Sequence, residues 1–168
     1  MSNLEKTLIS FAEEFQTLLK DKVVSADMIA SGALNNSIEV SSLYINNNEW
    51  KVILRGVDYL NIIEDGRKAG KQPPMKSILR WIELKGILPR ADELGNDITN
   101  EQLAFLIGRK IGSRGIKGKQ LISISLDELL VKYRPLIGEA ILKDVELGIY
   151  TSMLEEFYGY KNVKINLK

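Results

Sequence analysis

The stretch that most constrains the fold is residues 58–118, because glycine and proline interrupt it repeatedly. Two glycines and two prolines between residues 66 and 74 break both helix and strand, and three more glycines lie between residues 112 and 118. The space between these breakers suits only two short helices, predicted at residues 75–85 and 99–111. Short helices between long loops form little core and much surface, and function is commonly found on such loops. We therefore expect the functional centre in this stretch.

Positive charge is concentrated in the same part of the chain. The net charge of the 168 residues is only +1, but residues 66–120 hold 12 basic and 5 acidic side chains. Residues 1–65 hold 5 basic and 10 acidic side chains, and residues 121–168 hold 6 and 7. The candidate contact residues in the Gly-rich loops are Arg67, Lys68, Lys71, Arg109, Lys110, Arg114, Lys117 and Lys119. Two interpretations stay open: these cations contact nucleic-acid phosphates or an acidic protein surface, or they only keep the loops hydrated.

The glycines of these loops affect how flexible the loops are. Glycine has the widest backbone freedom of any residue, and the loops contain Gly66, Gly70, Gly112, Gly115 and Gly118. We therefore expect the loops to be flexible in the isolated chain and to be ordered by a neighbouring subunit or by DNA.

The composition argues against catalysis. The chain has no cysteine and no histidine, which excludes disulfides, thiolate or imidazole metal sites and Cys/His or Ser/His nucleophile pairs. Two pairs of adjacent carboxylates remain, at residues 64–65 and 92–93, and their position beside turn-forming residues favours solvated loops. The run at residues 112–120 is not a P-loop, since Gln120 stands where that motif needs Ser or Thr. The carboxylates, Lys, Tyr and Ser that remain are a poor set of groups for an enzyme, and we expect no metal and no cofactor.

The apolar pattern predicts an α+β fold in a single domain, residues 1–168. Alternation over residues 38–45 and 49–57, around three asparagines, is typical of a β-hairpin, and residues 162–167 are predicted to add a C-terminal strand to a small antiparallel sheet. Helical spacing predicts helices at residues 2–22, 25–35, 75–85, 99–111 and 125–158. Capping boxes are predicted at Ser2 with Glu5, Thr99 with Gln102, and Ser125 with Glu128. Pro135 is expected to kink or restart the long last helix.

Four apolar side chains at helical spacing are predicted to form the structural core of the central stretch: Ile78, Trp81, Ile82 and Phe105. Trp81 is expected to pack against both isoleucines and the helix at residues 99–111. Its truncation to alanine is then expected to cost about 3–5 kcal/mol.

The first residues and the lengths of the apolar runs indicate where in the cell the chain is expected. Residues 1–22 mix acids with apolar side chains and lack the pattern of a signal peptide. No apolar run approaches the roughly 20 residues that span a bilayer. We therefore expect the chain to stay in the cytoplasm where it is made, or to enter an assembly built there.

Several short motifs follow one another in a distinctive order. It runs from GALNNSI at residues 32–38 through YLNIIEDGR at 59–67, QPP at 72–74, ILRWIELKG at 78–86 and AFLIGRKI at 104–111 to Gly and Ile at 115–116. This order and spacing resemble the tail-component, or tail-completion, family of lambdoid-type phages, which are small proteins of the head-to-tail junction. The most persuasive parts are PP-x(n)-I-x-x-W-I-x-x-K-G and I-x-R-K-I.

The resemblance implies an α+β subunit without catalytic residues that forms a ring of six or twelve copies around the DNA channel in the neck of the virion. The implied partners are other copies, portal, neck or tail proteins and, without sequence preference, the packaged duplex DNA, with no membrane involved. Two other classes stay open. One is a nucleic-acid-binding module that uses the basic loops, and the other is a metal-dependent nuclease that uses Glu64 and Asp65.

Overall fold

A computed structural model of the chain describes residues 1–28, 30–45, 49–89 and 97–158. The fold is α+β, as predicted, and combines helices with two small two-stranded sheets, β1–β2 and β3–β4. The elements in chain order are α1 (Asn3–Ser25), α2 (Ala33–Ser37), β1 (Glu39–Ile45), β2 (Glu49–Arg55), α3 (Leu60–Asp65), β3 (Gly66–Arg67), α4 (Met75–Lys85), α5 (Asn100–Arg114), β4 (Ile116–Lys117) and α6 (Leu121–Tyr158).

The observed elements differ from the predicted ones at residues 25–35, and α6 bears on the expectation for Pro135. The helix predicted at residues 25–35 is wrong, because α1 continues to Ser25 and left-handed backbone at Asp27 (φ 51°) and Gly32 (φ 78°) leaves only the short α2. Of the kink or restart expected at Pro135, the restart is excluded, since α6 runs through the proline without interruption. A kink there stays a prediction. The asparagine turn at residues 46–48 and the C-terminal strand lie outside the described residues.

Contacts group the chain into two compact units. The terminal unit comprises Met1–Phe15, Val40–Ile53 and α6 from Leu126 onward, and the central unit comprises Gln16–Glu39 and Leu54–Ser125. The prediction that residues 1–168 form a single domain stays a prediction. None of the helices in the described part is both long and apolar enough to cross a membrane.

Aromatic side chains hold α1 to α6 within the terminal unit. Phe11 is buried and its ring meets that of Tyr133 edge-on, with 5.2 Å between centroids. The Tyr133 hydroxyl donates to the Glu14 carboxylate at 2.8 Å, and Lys132 Nζ lies 2.7 Å from the same group. Burial and the hydrogen bond to Glu14 raise the pKa of Tyr133 to about 12. Hydrogen bonds from Lys132 and Tyr133 hold the pKa of Glu14 below its ordinary value.

Two acceptors cap the first turn of α1. Ser2 Oγ accepts the Glu5 N–H at 3.0 Å, which is the half of the predicted capping box that the structure shows. The Asp144 carboxylate, on α6, accepts the N–H groups of Asn3 and Leu4 at 2.8 and 2.9 Å. Burial opposes ionisation of Asp144, but these hydrogen bonds outweigh it and hold its pKa below the ordinary value.

The central unit contains two clusters of buried apolar side chains. One consists of Leu19, Val23, Leu34 and Ile38, and residues of β2, α3 and the start of α6 pack against it. The other consists of Ile78, Ile82 and Ala104 and joins α4 to α5. Both helices have the ends that the sequence predicts. Thr99 and Gln102 bond reciprocally at the start of α5, and Gly86 ends α4 in the left-handed conformation.

Glu64 caps α6 from a distant part of the sequence. Its carboxylate accepts the N–H groups of Ile122 and Ser123 at 2.8 and 2.9 Å, and also the Ser123 hydroxyl. The capping box predicted at Ser125 is therefore wrong, because α6 begins at Leu121. Ser125 is fully buried inside the helix and its hydroxyl donates to the Leu121 carbonyl.

We expect Glu64→Ala to lower the free energy of unfolding by about 1–2 kcal/mol, because it leaves two helical N–H groups without their acceptor and removes a negative charge from the positive end of α6. Urea denaturation measures the change. The adjacent and exposed Asp65 is the matched control, and its replacement by alanine should change stability by less than about 0.5 kcal/mol. Equal losses for the two variants would contradict the capping role.

Candidate functional site

The two basic loops are joined by their backbones. β3 and β4 pair antiparallel, with Gly66 opposite Lys117 and Arg67 opposite Ile116. The pairing is extended on one side by a hydrogen bond from Gly70 N–H to the Gly112 carbonyl at 2.7 Å, and on the other by one from Lys119 N–H to the Ile63 carbonyl at 2.7 Å. Residues 66–71 and 109–119 therefore form one structure, which we call the basic platform.

Glycine allows the two backbones of the platform to approach each other. Gly66 and Gly115 have φ values of +84° and +74°, in the left-handed region. A Cβ atom at Gly66, Gly115 or Gly118 would lie under 3.0 Å from backbone atoms of the opposite loop. The expectation of loops that are flexible until a partner orders them is therefore wrong. Contacts within the chain already order them.

The platform brings the eight predicted basic residues together. Arg67 is half-buried and its guanidinium donates to the Lys71 carbonyl, whereas the other seven side chains are exposed. Within the part of the chain that the structure describes, none of the eight forms an ion pair. Of the two acids that directly precede the platform, Glu64 accepts hydrogen bonds at the start of α6 and Asp65 is exposed, and residues 66–71 and 109–119 themselves contain no acid. The platform therefore presents unbalanced positive charge on an ordered backbone.

An apolar groove lies beside the platform. It has a volume of about 320 Å³ and is lined by Arg67, Pro73, Ser77, Ile78, Trp81, Ile107, Ile111 and Ile116. We call it the Trp81 groove. Lys110 and Arg114 follow Ile107 and Ile111 by three residues each, so α5 places these two cations along the side of the groove. An apolar surface with a cationic border suits a partner that is apolar and acidic.

The core prediction for the central stretch is half right. Ile78 and Ile82 are buried, with exposed fractions of 7% and 1%, but Trp81 and Phe105 are exposed at 41% and 48%. The physical reason is helical geometry, since each aromatic residue is one position, or about 100°, away from a buried neighbour. The small residues Ala104 and Gly108, four apart on α5, receive Ile78 and Ile82 instead. This small-residue pair is the sequence signal that pointed to the true contact face.

We expect Trp81→Ala to cost about 1–2 kcal/mol of folding stability, whereas Ile82→Ala should cost about 2–5 kcal/mol, because only the isoleucine leaves a closed cavity. The first figure replaces the larger loss expected from the sequence. Thermal unfolding of both variants measures the difference. A larger loss for Trp81→Ala than for Ile82→Ala would contradict the exposed position of the indole ring.

A second exposed apolar surface lies on α6 in the terminal unit. Leu129, Tyr133 and Ala140 are buried on one face of this helix. The opposite face carries an exposed row at three- and four-residue steps, which we call the α6 seam: Val131, Pro135, Gly138, Leu142, Val145, Ile149 and Met153. Its exposed fractions reach 80% at Val131 and 63% at Leu142. A helix that is apolar on two opposite faces is typical of one that is buried on both sides in an assembly.

The acids considered for nuclease chemistry do not form a metal site. Both Glu64 oxygens accept hydrogen bonds from α6, and Asp65 is exposed beside it. Among the described residues there is no group of three or more carboxylates that could hold a metal ion. A nuclease role for Glu64 would therefore require this carboxylate to give up its hydrogen bonds at the start of α6.

Comparison of the sequence with protein-family models and curated proteins, and of the fold with solved structures, finds no match. The functional interpretation therefore depends on the residues themselves and on the resemblance described above. On the structural side it depends on three features: the basic platform, the Trp81 groove and the α6 seam.

Proposed function

We propose that the protein is a structural subunit of a tailed-phage neck, which assembles into a ring around the DNA channel at the head-to-tail junction and acts in tail attachment or completion. The order of motifs that resembles the tail-completion family supports this class. The observation that carries the proposal is the α6 seam, because its exposed apolar side chains extend over more than 20 residues opposite a buried face. Apolar surface of this extent marks a site of protein association.

The basic platform fits the same role. Its order within the chain means that a partner meets a preformed backbone, so that little backbone conformational entropy is lost on contact. Cations around a ring lumen hold duplex phosphates without sequence preference, and the contact weakens as salt rises. Tight holding would obstruct passage of the genome, so we expect weak contact with DNA and stronger contact with acids of neighbouring subunits. The proposed partners are other copies and portal, neck or tail proteins.

A nucleic-acid-binding module is the second candidate function. The observation that favours it is the set of eight basic side chains without ion pairs in the described part of the chain. It does not account for the α6 seam or for the Trp81 groove, which offer apolar surface rather than charge.

Deletion of the gene from the phage that encodes the chain tests the proposed function. Filled heads and separate tails are expected to accumulate, and joined particles should return when the chain is supplied from a plasmid. Mass spectrometry of purified wild-type particles should detect the chain. Infective, joined particles in its absence, or particles that lack the chain, would contradict the proposal.

A further inference from the structure

The α6 seam has an acidic edge. Glu139 and Glu146 precede Leu142 and Ile149 by three residues each, so both carboxylates lie along the same side of the seam, seven residues apart. Both are exposed, and neither forms an ion pair among the described residues. Residues 139–153 are therefore an exposed helix segment with apolar anchors on one face and acids beside them.

The Trp81 groove has the opposite chemistry. Four of its eight lining residues are isoleucine, and Trp81 and Ile116 are each more than two-fifths exposed. Helical spacing places Lys110 and Arg114 along its side on α5. Like the seam acids, these cations lie three residues from apolar side chains on their own helix. An amphipathic helix commonly binds a groove of this kind through anchors at i, i+3, i+4 and i+7, and Leu142, Val145 and Ile149 have that spacing.

We propose that the α6 seam of one copy docks in the Trp81 groove of a second copy, with Glu139 and Glu146 against Lys110 and Arg114. This inference rests on the proposed function and names the surfaces that would join adjacent subunits of the ring. The contact joins two different surfaces, so it is heterologous and each copy keeps one free seam and one free groove. Repetition of such a contact closes into a ring when the rotation between copies allows closure.

Charge favours the Trp81 groove, rather than a second α6 seam, as the surface that the seam contacts. Seam against seam would bring the acidic edges of two copies onto one interface, where like charges repel. It would also leave the Trp81 groove uncovered and Lys110 and Arg114 without acids. Docking of the seam in the groove covers both apolar surfaces and pairs both sets of charges.

Two variants test the contributions of the two surfaces separately. The seam variant carries Leu142→Asp and Ile149→Asp, and the groove variant carries Lys110→Glu and Arg114→Glu. All four positions are exposed, so both variants should fold, which circular dichroism and melting temperature verify. The matched controls place the same kinds of charge off the two surfaces. They are Val24→Asp with Ile62→Asp, on α1 and α3, and Lys76→Glu with Arg80→Glu, on α4, all at exposed positions outside the seam, the groove lining and the platform.

Sedimentation of the purified full chain at increasing concentration is the test. The wild type and both controls should assemble, whereas each variant alone should stay monomeric, with a dissociation constant raised by about 100-fold or more. An equimolar mixture of the two variants should form a 1:1 dimer and stop there, because one intact seam and one intact groove remain between them.

Three results would overturn the inference. A groove variant that assembles as well as the wild type would mean that the seam packs on itself. A mixture without dimer, beside a wild type that assembles, would mean that other surfaces join the copies. A wild type that stays monomeric at every concentration would mean that the seam binds a different protein. In each case the gene deletion tests the proposed function separately. Loss of the chain should prevent tails from joining heads, whichever surfaces the subunits use to contact one another.

Discussion

Replacement of Gly115 by alanine is expected to lower the free energy of unfolding by about 3–6 kcal/mol, because two unfavourable terms add at this position. The residue has φ +74°, a conformation that costs free energy for any side chain. An added Cβ would also collide with the Arg67 carbonyl and would lie 3.0 Å from the Ala69 nitrogen. The β3–β4 pairing cannot keep its register without moving one strand away from the other.

Gly148 provides the control for this variant. It lies within α6 with open space around it, and alanine there should stabilise the chain by up to about 1 kcal/mol, since alanine is the better helix former. Urea denaturation of the two variants gives the comparison. A Gly115→Ala variant as stable as the wild type would mean that the two basic loops do not approach each other closely. It would then contradict the description of the platform as one structure.

Neutralisation of Arg114, Lys117 and Lys119 to glutamine is expected to prevent assembly with little change in duplex binding. Each exposed ion pair contributes about 0.2–1 kcal/mol. Loss of the Arg114 pair, together with pairs that Lys117 and Lys119 make to acids of a neighbouring subunit, weakens one subunit contact by up to about 3 kcal/mol, or more than 100-fold. Each subunit of a ring makes two such contacts. Folding should be unaffected, because all three side chains are exposed and none forms an ion pair in the described part of the chain.

The assays are particle assembly in the presence of the variant and duplex binding at two salt concentrations. Normal assembly with reduced retention of DNA would contradict the subunit contact and favour the nucleic-acid-binding alternative. No effect in either assay would mean that these cations only keep the loops hydrated. Neutralisation of Lys6, Lys20 and Lys76, which lie outside the platform, removes the same number of charges and controls for the loss of charge itself.

Local signals in the sequence located most elements. The Thr99 and Gln102 pair marks the start of α5, and each of its two hydrogen bonds is present, at 2.8 and 3.3 Å. Gly86 marks the end of α4 in the same way. These signals succeed because a cap and its partner are at most a few residues apart, so the physics that defines the boundary is contained in one short window.

Long-range contacts account for the errors at α6 and in the platform. The acceptor that starts α6 is Glu64, 58 residues before its partner Ile122, and no window around residue 121 contains it. The glycines at 66, 115 and 118 were interpreted as a source of flexibility, which is what glycine provides in an isolated segment. In the fold they allow two backbones to touch, a role that depends on which segments meet.

The site was predictable in its charge and not in its apolar part. The eight basic residues could be identified from their positions in the sequence, because long charged side chains usually remain at the surface in any fold. The Trp81 groove could not, since the exposure of Trp81 depends on which face of α4 meets α5. The α6 seam was hidden for a different reason: apolar residues at helical spacing also line the buried face, and spacing alone does not show that one of the two faces lacks a partner.

Electron cryo-microscopy of the head-to-tail junction in purified particles tests the central claim most directly. We expect a closed ring of six or twelve copies of this chain around the DNA channel, with adjacent copies in contact through different surfaces. A neck that contains no such ring, or copies of the chain that remain separate from one another in the particle, would contradict it.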